Sequence, residues 1–303
     1  MTCQITNEGK IKGKKFDAVV VVGMGGSGLT GDILKFIKDD IGLSVPVFVS
    51  KDYTLPKIEA KKPLLVFSSF SGNTHETITA LREALKQKKN VAIVTSGGVE
   101  KTIAEKYNLP LGVFETHNLT PREGLVYNLS TIITLLSFCF PLREIDMSPK
   151  KIGSTKYSND IVKKIGTRIP LIYTDISLSS LGLLWKIFFN ESAKIPAFTN
   201  TIPEVAHNEI EGVTHTTKLF IPLFLTSKRT TKENRRKIHA LVGFFKKKNM
   251  SPILVEFEGV KNKDIFLNAF THIKLITNEI AKNKKISPQH TPSIDLFKKE
   301  FER

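Results

Sequence analysis

Two short segments combine hydroxyls, glycines and expected helix starts in a way that suits an anion. GMGGSG at 23–28 follows the apolar run FDAVVVV and contains G-x-G-x-x-G at Gly23, Gly25 and Gly28. SSFSGNT at 68–74 follows LLVF and opens the next helix. Ser69, Ser71 and Thr74, together with the unpaired N–H groups of a helix start, make a compact cage for one phosphate dianion. An N-capped Ser/Thr-rich turn has the same composition. Two such loops at the carboxyl ends of strands in one sheet favour the phosphate, because open parallel sheets bind ligands there. A dinucleotide would also need an acid at the end of the second strand to hold the ribose hydroxyls. That strand reads VFVSKDY, with Ser50 and Lys51 at the position and Asp52 reachable only by a register shift. A smaller phosphate therefore fits better than a dinucleotide.

One carboxylate stands out as a base. In LGLLWKIFFNESAK, Glu191 falls three and four residues after Phe188 and Ile187, on the side of Leu184. Beside apolar neighbours its pKa would rise towards that of a useful base, whereas a helix-end Glu turned to solvent would stay ordinary. His207, in AHNE, follows an extended segment with two prolines; a lone histidine is more often structural. Lys298 comes four residues after Ile294 and borders the apolar face of the last helix, where a solvated lysine is the ordinary reading. Arg122 stands at a helix start, which the helix dipole disfavours without some further reason. Glu204 and Glu209 flank His207 and read as cap or surface residues. The histidines show neither H-x-H nor H-E-x-x-H spacing, so no metal site is expected and a zinc-dependent route is excluded.

These residues need elements to position them, and strands and helices alternate along the chain. Strands are expected at Phe16–Val22, Val45–Ser50, Pro63–Ser68, Val91–Thr95 and Leu111–Glu115, with helices near 27–37, 74–87 and 100–107 and an apolar helix after Pro121. The polar stretch 143–160 reads as a boundary. The pattern restarts with strands at Ile169–Tyr173, Thr217–Leu225 and Pro252–Phe257, and helices near 181–193, 233–247 and 266–284. A short last helix starts at Thr291-Pro292. Continuous apolar strands call for parallel sheets covered on both faces. The expected class is α/β, with two doubly wound parallel-sheet domains as α-β-α sandwiches, residues 1–145 and 146–303.

Composition narrows the setting. The 303 residues hold 41% hydrophobic content, enough for two ordinary cores. Only Cys3 and Cys139 are present and no apolar leader opens the sequence, so a reducing cytoplasm is expected. The uncharged span 124–142 approaches membrane length, but Asn128, Thr131, Ser137 and Pro141 argue for a buried helix and no membrane. The net charge of +16 attracts anions in general. Its lysine clusters lack the interleaved aromatics of a nucleic-acid surface, so no nucleic acid is expected.

GMGGSG and SFSGNT resemble the sugar isomerase (SIS) domain. TPREGL at 120–125, NESAKIP at 190–196, PEVAHNEIEG at 203–212 and TPSIDLFKK at 291–299 resemble, in this order, its archaeal bifunctional phosphoglucose/phosphomannose isomerase branch. The resemblance implies a cofactor-free homodimer interconverting glucose 6-phosphate and mannose 6-phosphate with fructose 6-phosphate through a cis-enediolate. It makes Glu191 the proton-transferring base and Arg122 the enediolate-stabilising cation. His207, delivered from the neighbouring subunit, and Lys298 open the ring. Thr291 is the small side chain that admits both C2 epimers. Ser27, Ser69, Ser71 and Thr74 hold the phosphate, with Gly25 and Gly26 letting the backbone approach. Three departures accompany it: Glu123 in place of a small residue, a short segment before the first strand, and no aromatic after EIEG. Two other classes compete, a non-catalytic sugar-phosphate sensor and an NAD-dependent oxidoreductase. The sensor would carry a DNA-binding helix-turn-helix ahead of the first strand; the oxidoreductase, an acidic ribose anchor.

Overall fold

Runs of β-branched and aliphatic residues too apolar for either face to meet water become the central strands of two sheets. The computed structural model describes residues 3–148 and 156–301. The chain divides into two compact units, residues 1–148 with 261–263 and residues 149–260 with 264–303.

In the first unit the order is β1 (Cys3–Thr6), β2 (Ala18–Val22), α1 (Gly25–Ile37), β3 (Val47–Ser50), β4 (Pro63–Ser69), α2 (His75–Lys86), β5 (Asn90–Thr95), α3 (Gly98–Lys106), β6 (Leu111–Phe114) and α4 (Leu125–Leu136). The six strands lie in the order β1-β6-β5-β4-β2-β3. From β3 to β6 the pairing is parallel, and β1 joins β6 antiparallel, with Cys3 opposite Phe114 and Thr6 opposite Leu111. The chain leaves β2 towards β3 and then returns to β4 on β2's other side. The strand order therefore reverses between β2 and β4, where a crevice opens outside the strand ends. GMGGSG and SFSGNT are the segments that follow those two strands.

The second unit contains α5 (Lys156–Ile165), β7 (Ile169–Asp175), α6 (Ser179–Glu191), β8 (Phe198–Ile202), α7 (Glu209–Thr214), β9 (Phe220–Ser227), α8 (Lys232–Lys247), β10 (Ile253–Phe257), α9 (Asn262–Asn283) and α10 (Pro292–Phe301). Its sheet runs β10-β9-β7-β8, parallel throughout.

The α/β class and the parallel core of each sheet follow the sequence pattern, with three corrections to the strands and the boundary. β1 was not expected, because CQIT is short, carries two polar residues and is only partly buried. β8 was not expected either: FTNTI keeps exposed and half-buried positions because it is an edge strand paired only with β7. The stretch 143–160 is not a linker to its end, since α5 begins at Lys156; residues 149–155 lie outside the described residues. The apolar span after Pro121 gives α4, an ordinary buried helix, and among the described residues no helix is long and apolar enough to cross a membrane.

The core of the second unit holds α6 in place. Trp185 is fully buried, donates from Nε1 to the Ala269 carbonyl at 3.1 Å and packs against Phe189 and Phe257. Trp185→Phe removes the indole donor and leaves a void. It should destabilise the protein by about 1–3 kcal/mol, read as a lower urea midpoint by circular dichroism.

Candidate active site

The first unit brings three motifs together through its backbone. Ser27, near the start of α1, is buried and its Oγ accepts the Phe70 N–H at 2.9 Å. Ser69 Oγ accepts the Gly72 N–H at 3.1 Å and shares a hydrogen bond with Thr74 Oγ1 at 2.9 Å. Ser71 Oγ accepts the Asn73 N–H at 3.3 Å. Ser69 is buried, Thr74 half-buried at the start of α2, and Ser71 exposed. The loop is thus preorganised by its own hydroxyls, with Ser71 and Thr74 towards the open side. Beneath it, Ser68 and Asn128 form a buried pair, with Asn128 Nδ2 donating to Ser68 Oγ at 3.0 Å. Asn128 was legible only as an odd polar residue in an apolar helix.

Close approach decides the loop's residue types. Gly72 has φ +68°, and a Cβ there would lie 1.8 Å from the Gly97 carbonyl oxygen. Gly124, in the TPREGL turn, leaves room for the Phe70 ring, 2.2 Å from where its Cβ would stand. Gly25 faces open space at φ +51°, whereas the missing side chain of Gly26 accommodates the Pro121–Arg122 backbone. Gly26 therefore serves packing of the protein on itself at least as directly as approach of a ligand. Arg122 is buried to 2% exposure in that turn. Glu123, the departure from the resembled pattern, reaches back to the Thr120 N–H at 3.3 Å and its hydroxyl at 3.0 Å, which ties the turn carrying Arg122.

The residues that a ribose would need are already engaged. Lys51 pairs with Asp32 of α1 at 2.5 Å, and Asp52 accepts the Tyr53 N–H at 2.6 Å within its own turn. Near the end of β3, the carboxylates of Asp32 and Asp52 are thus already hydrogen-bonded within the protein.

In the second unit Glu191 is the last residue of α6 and is half-buried. The turn after it is held by Asn190 Oδ1, which accepts the Ala197 N–H at 3.0 Å, and by Lys194 Nζ, which donates to the Glu191 carbonyl. A cleft of about 1020 Å3 opens there, lined by Glu191, Lys186, Lys194 and Phe198 together with His290 and Thr291. Thr291 starts α10, its carbonyl accepting the Ile294 and Asp295 N–H groups at 3.0 and 3.1 Å. Glu191 and Thr291, named separately from sequence, thus share one cleft.

His207 and Lys298 do not line it; both are exposed. The reason for His207 is topological. A crossover helix runs antiparallel to the strands it joins, so the end of α6 lies at the amino edge of β8, while His207 follows the carboxyl edge. The five residues of β8 span about 16 Å. His207 is held on its own side by a clamp that sequence reasoning missed. Glu209 accepts from Tyr173 Oη at 2.9 Å and from Asn200 Nδ2 at 2.7 Å, tying the 204–214 segment to β7 and β8. Burial, and then the Glu209 carboxylate, keep the Tyr173 phenol protonated far above its ordinary range. Glu209 is therefore neither a surface residue nor a cap.

Among the described residues no three His, Cys, Asp or Glu side chains gather as a metal site. Residues 14–118 match the family described as "SIS domain", and residues 155–301 the "Bacterial phospho-glucose isomerase C-terminal SIS domain". The chain belongs to the SIS-domain sugar isomerases. It is similar to a bifunctional phosphoglucose/phosphomannose isomerase of Thermoplasma volcanium, 34% identical over 68% of this chain and 66% of that protein. A second of the same description, from Thermoplasma acidophilum, is 28% identical over 98% of this chain and 94% of its own. Among solved structures, a hypothetical protein of Thermus thermophilus superposes with TM-score 0.72 at 13% identity, over 94% of this chain and 83% of that one. Glucosamine-6-phosphate deaminase of Thermotoga maritima gives 0.67 at 15% identity, over 91% and 88%. At those identities the structures speak for the fold.

The loop contacts give a direct test. Gly72→Ala must move either the phosphate-type loop or the Gly97 segment. It should cost about 2–4 kcal/mol in urea unfolding, well beyond an ordinary surface Gly→Ala change.

Proposed function

We propose that this protein is an aldose–ketose isomerase interconverting glucose 6-phosphate and mannose 6-phosphate with fructose 6-phosphate. The observation that carries the reading is the shared cleft of Glu191 and Thr291, in a chain whose relatives along nearly its whole length bear the bifunctional isomerase description. The substrate phosphate is held by the 69–74 loop, with Ser71 and Thr74 hydroxyls and the N-terminal amides of the twelve-residue α2 as donors. Ser69 and Ser27 shape that loop, and Ser27 retains its hydroxyl proton for donation. Gly25 leaves its rim open.

Ring opening moves a proton from the anomeric hydroxyl and returns one to the ring oxygen, the work assigned to His207 and Lys298. The Glu191 carboxylate then removes the C2 proton, electron density moves onto the carbonyl oxygen O1 to give the cis-enediolate, a proton passes from O2 to O1, and the carbon proton is delivered to C1 to leave the C2 ketone. Arg122, permanently charged, stabilises the oxyanion. Thr291 beside Glu191 is small enough to accept either configuration at C2. No electron leaves the substrate, so the reaction balances without nicotinamide or metal.

The separation of His207 from Glu191 by the length of β8 supports a homodimer in which each subunit lends its His207 to the other. Free Cys3 and Cys139 agree with a reducing cytoplasm. The engaged Asp52 and Lys51 count against an oxidoreductase.

Fructose 6-phosphate formation should be measured from each aldose phosphate, in chelator and without nucleotide. Both should turn over, and Glu191→Gln should lower kcat about 10³-fold or more without moving the urea midpoint. No turnover by well-folded protein would leave the sugar-phosphate sensor as the better reading. Mixing inactive Glu191→Gln and His207→Ala chains after unfolding and refolding together should restore about a quarter of wild-type activity. Half the dimers are then mixed and each carries one intact site. Failure to complement would place both groups in a single subunit's site.

A further inference from the structure

Glu100 is fully buried, and neither of its carboxyl oxygens has a hydrogen-bond partner among the described residues. It sits in the first turn of α3, on the same face as Ile103 and Ala104, which pack into the apolar cluster of Val91, Ile93 and Leu111. Its backbone is part of the junction with the phosphate-type loop. The Glu100 N–H donates to the Gly72 carbonyl at 3.0 Å, and the Val99 N–H to Asn73 Oδ1 at 3.0 Å. The Gly97 carbonyl stands against Gly72 where a Cβ would clash. An ionised carboxylate in this apolar setting would be costly, and an outward swing of the α3 start would relieve it while breaking those two hydrogen bonds.

We propose that Glu100 is a positioning residue whose protonated carboxyl allows the start of α3 to lock the 71–74 segment, so that ionisation of Glu100 releases the loop. The inference rests on the reading of that loop as the substrate phosphate site. Burial alone pushes the Glu100 carboxyl up to about 8. No titratable side chain stands on β5, on β6 or in the 69–74 loop. Lys101, Glu105 and Lys106 of α3, and His75, Glu76, Arg82, Glu83 and Lys86 of α2, contribute nothing to that displacement. The folded-state pKa is raised above the unfolded one, so the folded chain holds a proton that the unfolded chain has lost. The stability of the neutral form is thus complete below about pH 4.5, is lost as pH rises towards 8, and changes no further above it.

The test compares the full-length wild type with Glu100→Gln, a neutral isostere, and with Glu100→Leu as a second neutral variant should the first fold poorly. Urea unfolding from pH 5 to 8 should show the wild type's folded-to-unfolded ratio falling relative to the variant by up to about tenfold per pH unit. Amide exchange over 69–106, each corrected for its intrinsic rate, should match between the two proteins at pH 7 and be faster in the wild type at pH 9.5. KM for fructose 6-phosphate should rise several-fold in the wild type between those pH values and stay level in the variant, with parallel kcat profiles; the sugar phosphate is a dianion throughout that range. Parallel pH courses in unfolding, or equal exchange at pH 9.5, would overturn the proposal whether or not the protein is an isomerase. Absence of turnover with the exchange contrast intact would instead count against the isomerase reading alone.

Discussion

The closeness of backbone to backbone around the SFSGNT loop is the constraint on which the first unit depends. The Gly97 carbonyl occupies the space of a Gly72 side chain, and Phe70 fills that of Gly124. With those two places taken, the loop has one course. Ser27 then meets the Phe70 amide, Ser69 closes on Gly72 and Thr74, and the TPREGL turn brings Arg122 into the buried layer beside the strand ends. The position of Arg122 is set by the fit of that turn against Gly26 and α1.

The two units place their chemistry at opposite ends of similar sheets. In the first, the hydroxyl loops follow the carboxyl ends of β2 and β4, at the reversal of strand order, as open parallel sheets ordinarily do. In the second, Glu191 ends the crossover helix and therefore faces the amino end of β8. The carboxylate there has a firm seat: Trp185 fixes the helix to the core and Asn190 fixes the turn that follows it.

Much of this was legible in the sequence, for physical reasons that also explain the misses. AVVVV and LLVFSS read as strands because a central parallel strand must be apolar on both faces. CQIT and FTNTI did not, because edge strands carry polar residues and owe their pairing to a distant partner. The hydroxyl loops and Glu191 announced themselves by type and by position against helix starts and apolar faces. Glu100 did not, since VEKTIAEK has the charge pattern of any exposed helix and only the packing of α3 on β5 and β6 turns that position inward. Glu209 was misjudged for a similar reason: its partners Tyr173 and Asn200 are remote in sequence.

On the proposed roles, the placement of Glu191 and His207 at opposite ends of one strand has a kinetic meaning. If a base and a ring-opening group meet only when two chains associate, the working site forms in proportion to a product of two concentrations. At high dilution the rate would then follow the square of the chain concentration and become linear only once association is complete. On that proposal the length of β8, a feature of folding, would tie activity to the association of chains.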